Sequence, residues 1–222
     1  MLFRPSTSFD DTGRMDNLAW SELYRHRKAA EVRFGTIFDL PICRRVREVL
    51  AEHVPDGAAV LEVGAGDRGM RQQLLKVRPS VSYQSMDIDP AGGHDYRTLD
   101  EIRQSFDGVF AFEVIEHLSL DEIGPWLVRL GELLKPGGCL LLSTPNTFYP
   151  PAYLRDATHR TPLCYDELAG LVEMSGLRVE RIVRIYHDPL HRKLLRRYLF
   201  GWLFRTIGID FARQIVVVAR RA

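Results

Sequence analysis

The chain has 222 residues, 45% of them apolar and 27% charged, an ordinary globular balance that excludes a disordered or fibrous protein and suffices for one sizeable core. Its longest apolar runs, such as Ile215–Ala219, fall far short of the roughly 20 residues of a membrane-spanning helix. Net charge is only +1, yet residues 58–146 carry eight basic and thirteen acidic side chains while residues 147–222 carry thirteen basic and seven acidic, so the middle tolerates cations and the tail can meet an anionic surface.

The opening MLFRPSTSFDD lacks the apolar run of a secretory signal. Cys43, Cys139 and Cys164 are too scattered for a disulfide framework or a zinc motif, which implies a reducing, cytoplasmic setting. Residues 1–57 read as a helical annex: apolar spacing predicts helices over Leu18–Phe34 and Leu40–His53, the second with Pro41 in its first turn. From residue 58 the pattern changes to alternating strands and helices. Ala59–Val63 is a buried strand, followed by Gly64-Ala65-Gly66-Asp67-Arg68-Gly69 and a helix over Met70–Val77. Strands follow at Val81–Met86, near Asp95–Arg97 and at Phe106–Phe112. Ser119 and Glu122 form a capping box that opens a helix to about Leu134. Pro136-Gly137-Gly138 is expected to turn into a strand at Cys139–Ser143. A helix over Asp166–Ser175 stops at Gly176, and strands over Leu177–Tyr186 and Gln214–Arg220 close the chain. This alternation predicts one α/β domain over residues 58–222, a parallel-rich sheet covered on both faces.

Ligands of such sheets sit outside the carboxyl ends of the strands, near the switch in strand order. Gly64-x-Gly66-x-x-Gly69, with Asp87 18 residues further on, satisfies the dinucleotide fingerprint, but the same string serves S-adenosylmethionine. Charge discriminates between them. A pyrophosphate on the loop would face Glu62 and Asp67, at a cost on the order of several kcal/mol for charges about 4 Å apart. The ammonium and sulfonium of S-adenosylmethionine turn the same acids into attractive partners. Asp67 also reads as a cap of the next helix; Glu62 has no such local role.

Leu61-Glu62-Val63-Gly64-Ala65-Gly66 resembles motif I of class I S-adenosylmethionine-dependent methyltransferases. Asp87-Ile88-Asp89-Pro90 is similar to the end of that family's second strand, and Phe112-Glu113-Val114-Ile115-Glu116-His117 to the turn after its fourth. Leu133-Leu134-Lys135-Pro136-Gly137-Gly138, the Ser143-Thr144-Pro145-Asn146 end of the fifth strand and Thr158-His159-Arg160 extend the likeness toward the quinone-biosynthesis branch, over residues 58–187 and the last strand. The resemblance implies a Rossmann-like seven-stranded sheet of order 3-2-1-4-5-7-6 with strand 7 antiparallel. It also implies that Glu62, Gly64, Ala65 and Gly66 underlie the methionine moiety of S-adenosyl-L-methionine. Asp87 would hold the ribose, Ile88 would pack on adenine, Asp95 would meet its amino group, and Phe112 and Glu113 would line the wall. The chain departs from the family at Asp67, where a small residue is usual, and at residues 90–94, too few for the helix that normally precedes strand 3.

Methyl transfer from a sulfonium is an in-line displacement in which proximity and orientation do most of the work. A base is needed only when the acceptor must lose a proton, as a hydroxyl does. His117 and His159 are the candidate bases, with Glu113 and Glu116 as partners. Tyr149, Tyr153 and Tyr165 could line an acceptor pocket. Residues in metal-ligand spacing are not evident, and no metal is expected. The competing readings are an NAD-type oxidoreductase and a non-catalytic scaffold of the same fold. No nucleic-acid module is apparent, so a small-molecule acceptor is expected. Residues 188–213 read as a basic amphipathic insertion, begun by Asp188-Pro189, with Leu194, Tyr198, Trp202 and Leu203 on one face and Arg192, Arg196 and Arg197 on the other. It is expected to wall the acceptor pocket or join two subunits, ahead of a peripheral membrane contact.

Overall fold

The computed structural model describes residues 20–186 and 189–222. Its elements, in chain order, are α1 (Trp20–Phe34), β1 (Ile42–Cys43), α2 (Val46–His53), β2 (Ala59–Val63), α3 (Gly69–Leu75), β3 (Ser82–Met86), β4 (Phe106–Phe112) and α4 (Leu120–Glu132). Then come β5 (Leu134–Pro145), α5 (Pro150–Leu154), α6 (Tyr165–Met174), β6 (Leu177–Ile185), α7 (Leu190–Leu194), α8 (Gly201–Ile207) and β7 (Gln214–Arg221). The sheet has seven strands in the order β1-β6-β7-β5-β4-β2-β3. β7 runs antiparallel to both of its neighbours, and the other pairings are parallel.

Strands buried on both faces read as nearly continuous apolar runs, and β2 shows why. Leu61 and Val63 join the core under α4 and α6, with Ile123, Leu127, Leu168 and Val172. Val60 joins the opposite core, with Val49 and Leu50 of α2, Leu74 of α3 and Phe110. Helix α1 lies on α6, where Gly170 permits the approach: a Cβ there would stand 3.3 Å from Leu23 and His26 side-chain carbons. Arg27 clamps the pair through Asp166 (3.0 Å) and Glu167 (2.9 Å).

Six strands take the expected order, and the seventh place is filled differently. The strand foreseen at Asp95–Arg97 is a single parallel bridge, Met86 to Tyr96, because one short turn, Pro90–Gly92, is all that separates it from β3. The opposite edge gains β1 from the N-terminal segment. The helix foreseen at Leu40–His53 therefore begins only at Val46: Ile42 and Cys43 pair with Arg184 and Ile185, and the Glu48 carboxylate accepts from Arg44 N (3.0 Å) just ahead of α2. β5 likewise starts before the foreseen turn. Pro136-Gly137-Gly138 lies inside the strand, at an irregularity opposite Phe106 and Gly108, and a Cβ on Gly138 would sit 2.8 Å from Lys135 O.

The insertion is not one continuous helix. A π-helical turn, Leu195–Leu199, follows α7, and Phe200 (φ −107°, ψ 6°) breaks the axis before α8. The expected cap Asp188 lies outside the described residues. No helix among the described residues is long and apolar enough to cross a membrane.

Candidate active site

Two groups of residues gather at the carboxyl ends of β2 to β5. The first is the loop after β2. Gly64 (φ +71°) and Gly66 (φ +45°) both adopt the left-handed conformation that glycine tolerates without strain. Gly64 N and Ala65 N donate to Met86 O (2.8 and 3.2 Å), tying the loop to the end of β3. Asp87 closes it from outside: Oδ2 accepts from Gly66 N (2.8 Å) and Oδ1 from Asp89 N (2.9 Å). Nothing lies within 4 Å of where a Gly66 Cβ would be, so the backbone is open to a ligand, and Ile88 beside it is 78% exposed. A Cβ on Gly64 would collide with Val114 of the turn after β4, so this glycine is demanded by the protein itself.

Glu62 sits beneath the loop, 5% exposed. Tyr83 O–H donates to its carboxylate, but burial dominates and raises its pKa to about 7. Asp67, read from the sequence as the cap of the next helix, stands one place ahead of the capping residue Arg68, its Oδ1 accepting from Gly69 N (2.8 Å). Asp95 is similarly occupied, with Oδ2 accepting from Ser85 N (2.8 Å) and Ser85 Oγ (2.9 Å). It borders a small hollow with Arg68, Arg71 and Tyr83. Phe112 stacks on Phe110, ring centroids 5.5 Å apart. The open glycine backbone, the buried acid and the exposed Ile88 fit an adenosyl-amino-acid cofactor.

The second group is the turn after β4. Glu113 has φ +57°, a strained conformation for a side-chain-bearing residue. Ser143 holds it there by accepting from Glu113 N, at 3.0 Å to Oγ and 3.2 Å to O. Ser143 Oγ and Gln214 Nε2 donate in turn to Glu113 Oε1 (3.1 and 2.8 Å). Glu113 shows much of its surface to solvent, but its carboxyl is set back among protein atoms, and burial pushes its pKa upward against these donors. Glu116 is wholly buried, and neither carboxylate oxygen has a hydrogen-bond partner. Burial, reinforced by the Glu113 charge, raises its pKa to about 8.

The segment 158–161 is laced onto this turn. Arg160 N and Thr161 N donate to Glu116 O (2.8 and 3.1 Å), and Thr161 Oγ1 to Leu118 O (2.7 Å). His117 Nδ1 lies 3.0 Å from Thr158 Oγ1 and 3.3 Å from Thr158 O. His159 Nδ1 lies 2.7 Å from Tyr153 O. The two imidazoles meet edge to face, centroids 4.9 Å apart, and both line a cleft of about 550 Å³ with Glu113, Tyr149, Arg155 and Gln214. His117, His159 and Glu113 are thus brought together, whereas Glu62, Asp87 and Asp95 belong to the loop region. Tyr165 is instead buried, its hydroxyl donating to Gly35 O (2.7 Å). No metal-ligating set shows in the sequence spacing, yet the fold brings one ligand atom each of Glu116, His117 and His159 within 4.8 Å of the others. Sequence spacing hides this set because 42 residues separate the histidines.

Asn146 and Asp210 were missed. Asn146 Nδ2 donates to Asp210 Oδ2 (2.9 Å) and Ala212 O (2.9 Å), and the buried Arg184 pairs with Asp210 Oδ1 (2.9 Å). This network fixes the chain where it leaves β5 and re-enters β7, the two strands that hold Ser143 and Gln214. Among the described side chains of residues 189–207, none lines the cleft; Arg197, Tyr198 and Phe204 instead border a hollow against Phe38 and Leu40.

A fold of this kind with an open glycine loop and an acid beneath it is that of a methyltransferase, and the comparisons agree. Residues 35–200 match the family model described as a methyltransferase domain, and the chain belongs to that family, as an S-adenosylmethionine-dependent enzyme. It is similar to a ubiquinone biosynthesis O-methyltransferase of Azorhizobium caulinodans, 26% identical over 65% of this chain and 72% of the relative. A ubiquinone biosynthesis O-methyltransferase of a Bradyrhizobium species is 32% identical over 47% of each, so that match spans less than half the relative's length. Among solved structures, a SAM-dependent methyltransferase from Archaeoglobus fulgidus shares the fold at TM-score 0.59 and 17% identity, covering 93% of this chain and all of that one. The dinucleotide reading of the glycine loop is thereby set aside.

Proposed function

We propose that the protein methylates a hydroxyl oxygen of a small molecule held in the cleft beside Glu113, His117 and His159. The observation that carries the reading is the cleft itself: about 550 Å³, within the range of small-ligand sites, and lined by two histidines whose Nδ1 atoms are already engaged. The names of the relatives support an oxygen acceptor. In this reading Glu62 and the Gly64–Gly66 backbone hold the methionine end of the cofactor. Asp87 turns from Gly66 N toward the ribose hydroxyls, Ile88 packs on adenine, and Phe112 and Glu113 wall the methyl group. An acceptor oxygen lone pair attacks the methyl carbon. The carbon–sulfur bond breaks with its electrons remaining on sulfur, and the hydroxyl proton is shed on the imidazole side of the cleft. Most of the rate comes from holding oxygen, carbon and sulfur in line.

The test is transfer of labelled methyl from S-adenosylmethionine to a panel of phenols, amines and thiols, with titration of S-adenosylhomocysteine in parallel. Turnover of phenols ahead of the other two is expected. Tight S-adenosylhomocysteine binding with turnover confined to amines or thiols would remove the hydroxyl acceptor while leaving the cofactor site intact.

A further inference from the structure

We propose that Glu116, His117 and His159 form a binding site for one divalent transition-metal ion, open on its fourth side to the cleft. Glu116 is the first reason. A carboxylate with no exposed surface and neither oxygen in a hydrogen bond is costly in a folded protein, because burial removes its water without a comparable replacement. The groups nearest to it carry nitrogen donors. His159 Nε2 stands 4.0 Å from Glu116 Oε1, and one ligand atom from each of the three residues falls within 4.8 Å of the other two. Ligands about 2.0–2.2 Å from a tetrahedral ion lie roughly 3.5 Å apart, so the set has to contract by about 1 Å, within the reach of side-chain rotation.

The second reason is the outer set of contacts. Metal-bound histidines characteristically give their other ring nitrogen to a main-chain carbonyl, carboxylate or similar acceptor, which fixes the tautomer and aims the ring. Both histidines show that arrangement, His159 Nδ1 on Tyr153 O and His117 Nδ1 on Thr158. Thr158 is steadied by Asp156, whose Oδ1 accepts from Thr158 N (2.9 Å) and Oγ1 (2.7 Å). The other oxygen, Asp156 Oδ2, lies 4.0 Å from His159 Nε2, at the cleft side of the set. Two imidazoles and one carboxylate select borderline ions such as Zn²⁺ or Co²⁺ over Mg²⁺ and Ca²⁺, which favour all-oxygen sites.

Placed there, the ion faces the acceptor. It would coordinate the hydroxyl oxygen, which keeps the O–H electron pair while the proton leaves to water; this part rests on the acceptor reading above. The histidines then assist deprotonation as ligands and not as bases, since a nitrogen lone pair cannot serve both ends.

Metal binding is measured without turnover, so the two readings fail separately. The full chain, stripped with chelator and dialysed, is titrated calorimetrically with Zn²⁺ and with Mg²⁺, and its Co²⁺ complex is examined by visible absorption. One Zn²⁺ per chain is expected, with Mg²⁺ binding far weaker and ligand-field bands in the Co²⁺ complex. Glu116→Gln, His117→Ala and His159→Ala should each weaken Zn²⁺ by roughly tenfold to a hundredfold or more and abolish the Co²⁺ bands. Retained S-adenosylhomocysteine binding shows that each variant is folded; should Glu116→Gln fail that control, the two histidine variants decide. Absence of stoichiometric Zn²⁺ binding to the parent overturns the proposal, as does Zn²⁺ binding that survives the histidine substitutions. A protein that binds Zn²⁺ through these residues but methylates no hydroxyl keeps the site and loses the acceptor.

Discussion

The loop after β2 and the turn after β4 lie side by side, and they treat their carboxylates in opposite ways. Around the loop, Asp67, Asp87 and Asp95 each accept hydrogen bonds from nearby chain donors, so the ligand-facing backbone is set in place beforehand by local chemistry. Around the turn, Glu113 is held at a strained φ by Ser143, and Glu116 is buried with neither carboxylate oxygen in a hydrogen bond. One region is complete as it stands, which suits a cofactor recognised by shape and backbone. The other holds polar groups in reserve, which suits a site that is finished by what it binds.

The sharpest way to break the comparison is at the point of contact between the regions. Gly64→Val adds a side chain where Val114 already stands and demands φ +71° of a β-branched residue. S-adenosylhomocysteine affinity should fall by more than about a hundredfold, a loss of roughly 3 kcal/mol or more, read by calorimetry beside circular dichroism. Next comes Asp87→Ala, which removes both the Gly66 anchor and the proposed ribose acid. Loss of a charged, hydrogen-bonded contact of roughly 1.5–3 kcal/mol corresponds to about a tenfold to hundredfold rise in the dissociation constant. An unchanged constant would show that Asp87 merely shapes the loop.

Glu62 gives a pH test. Its pKa of about 7 means that the acid is mostly neutral at about pH 6 and mostly ionised at about pH 8. If the ionised form attracts the methionine ammonium, affinity should rise about tenfold across that interval, and Glu62→Gln should flatten the profile. Stability of the ligand-free protein runs the other way. The folded chain keeps a proton that the unfolded chain releases above its ordinary pKa of 4.5. Stability is therefore greatest below that pH and declines as pH rises through about 7, by about 3 kcal/mol. Thermal melts at several pH values would show this slope. The smallest effect is expected from Thr158→Val, which takes the hydroxyl from His117 Nδ1 and leaves the carbonyl at 3.3 Å. Turnover should drop about fivefold, the worth of a hydrogen bond of roughly 1 kcal/mol, with cofactor affinity unchanged.

What could be read from the sequence was local. The glycine loop, the Ser119 capping box and the Gly176 stop depend on residues a few positions apart, and their backbone chemistry declares itself in the string. The acids of the loop region were legible for the same reason, although the engagement of Asp87 with Gly66 and of Asp95 with Ser85 was not. What stayed hidden depends on partners far apart in the chain. Asn146 meets Asp210, and Arg184 meets Asp210 and Leu40 O, contacts that periodicity does not register. The pattern over Leu40–His53 was apolar enough for a helix throughout, and only the edge of β6 draws Ile42 and Cys43 into the sheet. The buried state of Glu116 was equally invisible, since a glutamate beside a histidine ordinarily reads as surface.

That edge pairing carries a consequence for synthesis. Ile42 and Cys43 emerge early from the ribosome, yet Arg184 and Ile185, their partners, follow some 140 residues later. Contacts so distant in sequence are slow to form because a long loop must close first. Until then the early segment has no edge to join. The β6 edge, once made, offers unpaired backbone groups that favour association with other chains. Arg184 joins the two ends, binding Phe38 O and Leu40 O of the turn just ahead of the strand that completes the sheet. The N-terminal segment can therefore take its place in the sheet only after β6 has been translated, like a latch that waits for its catch.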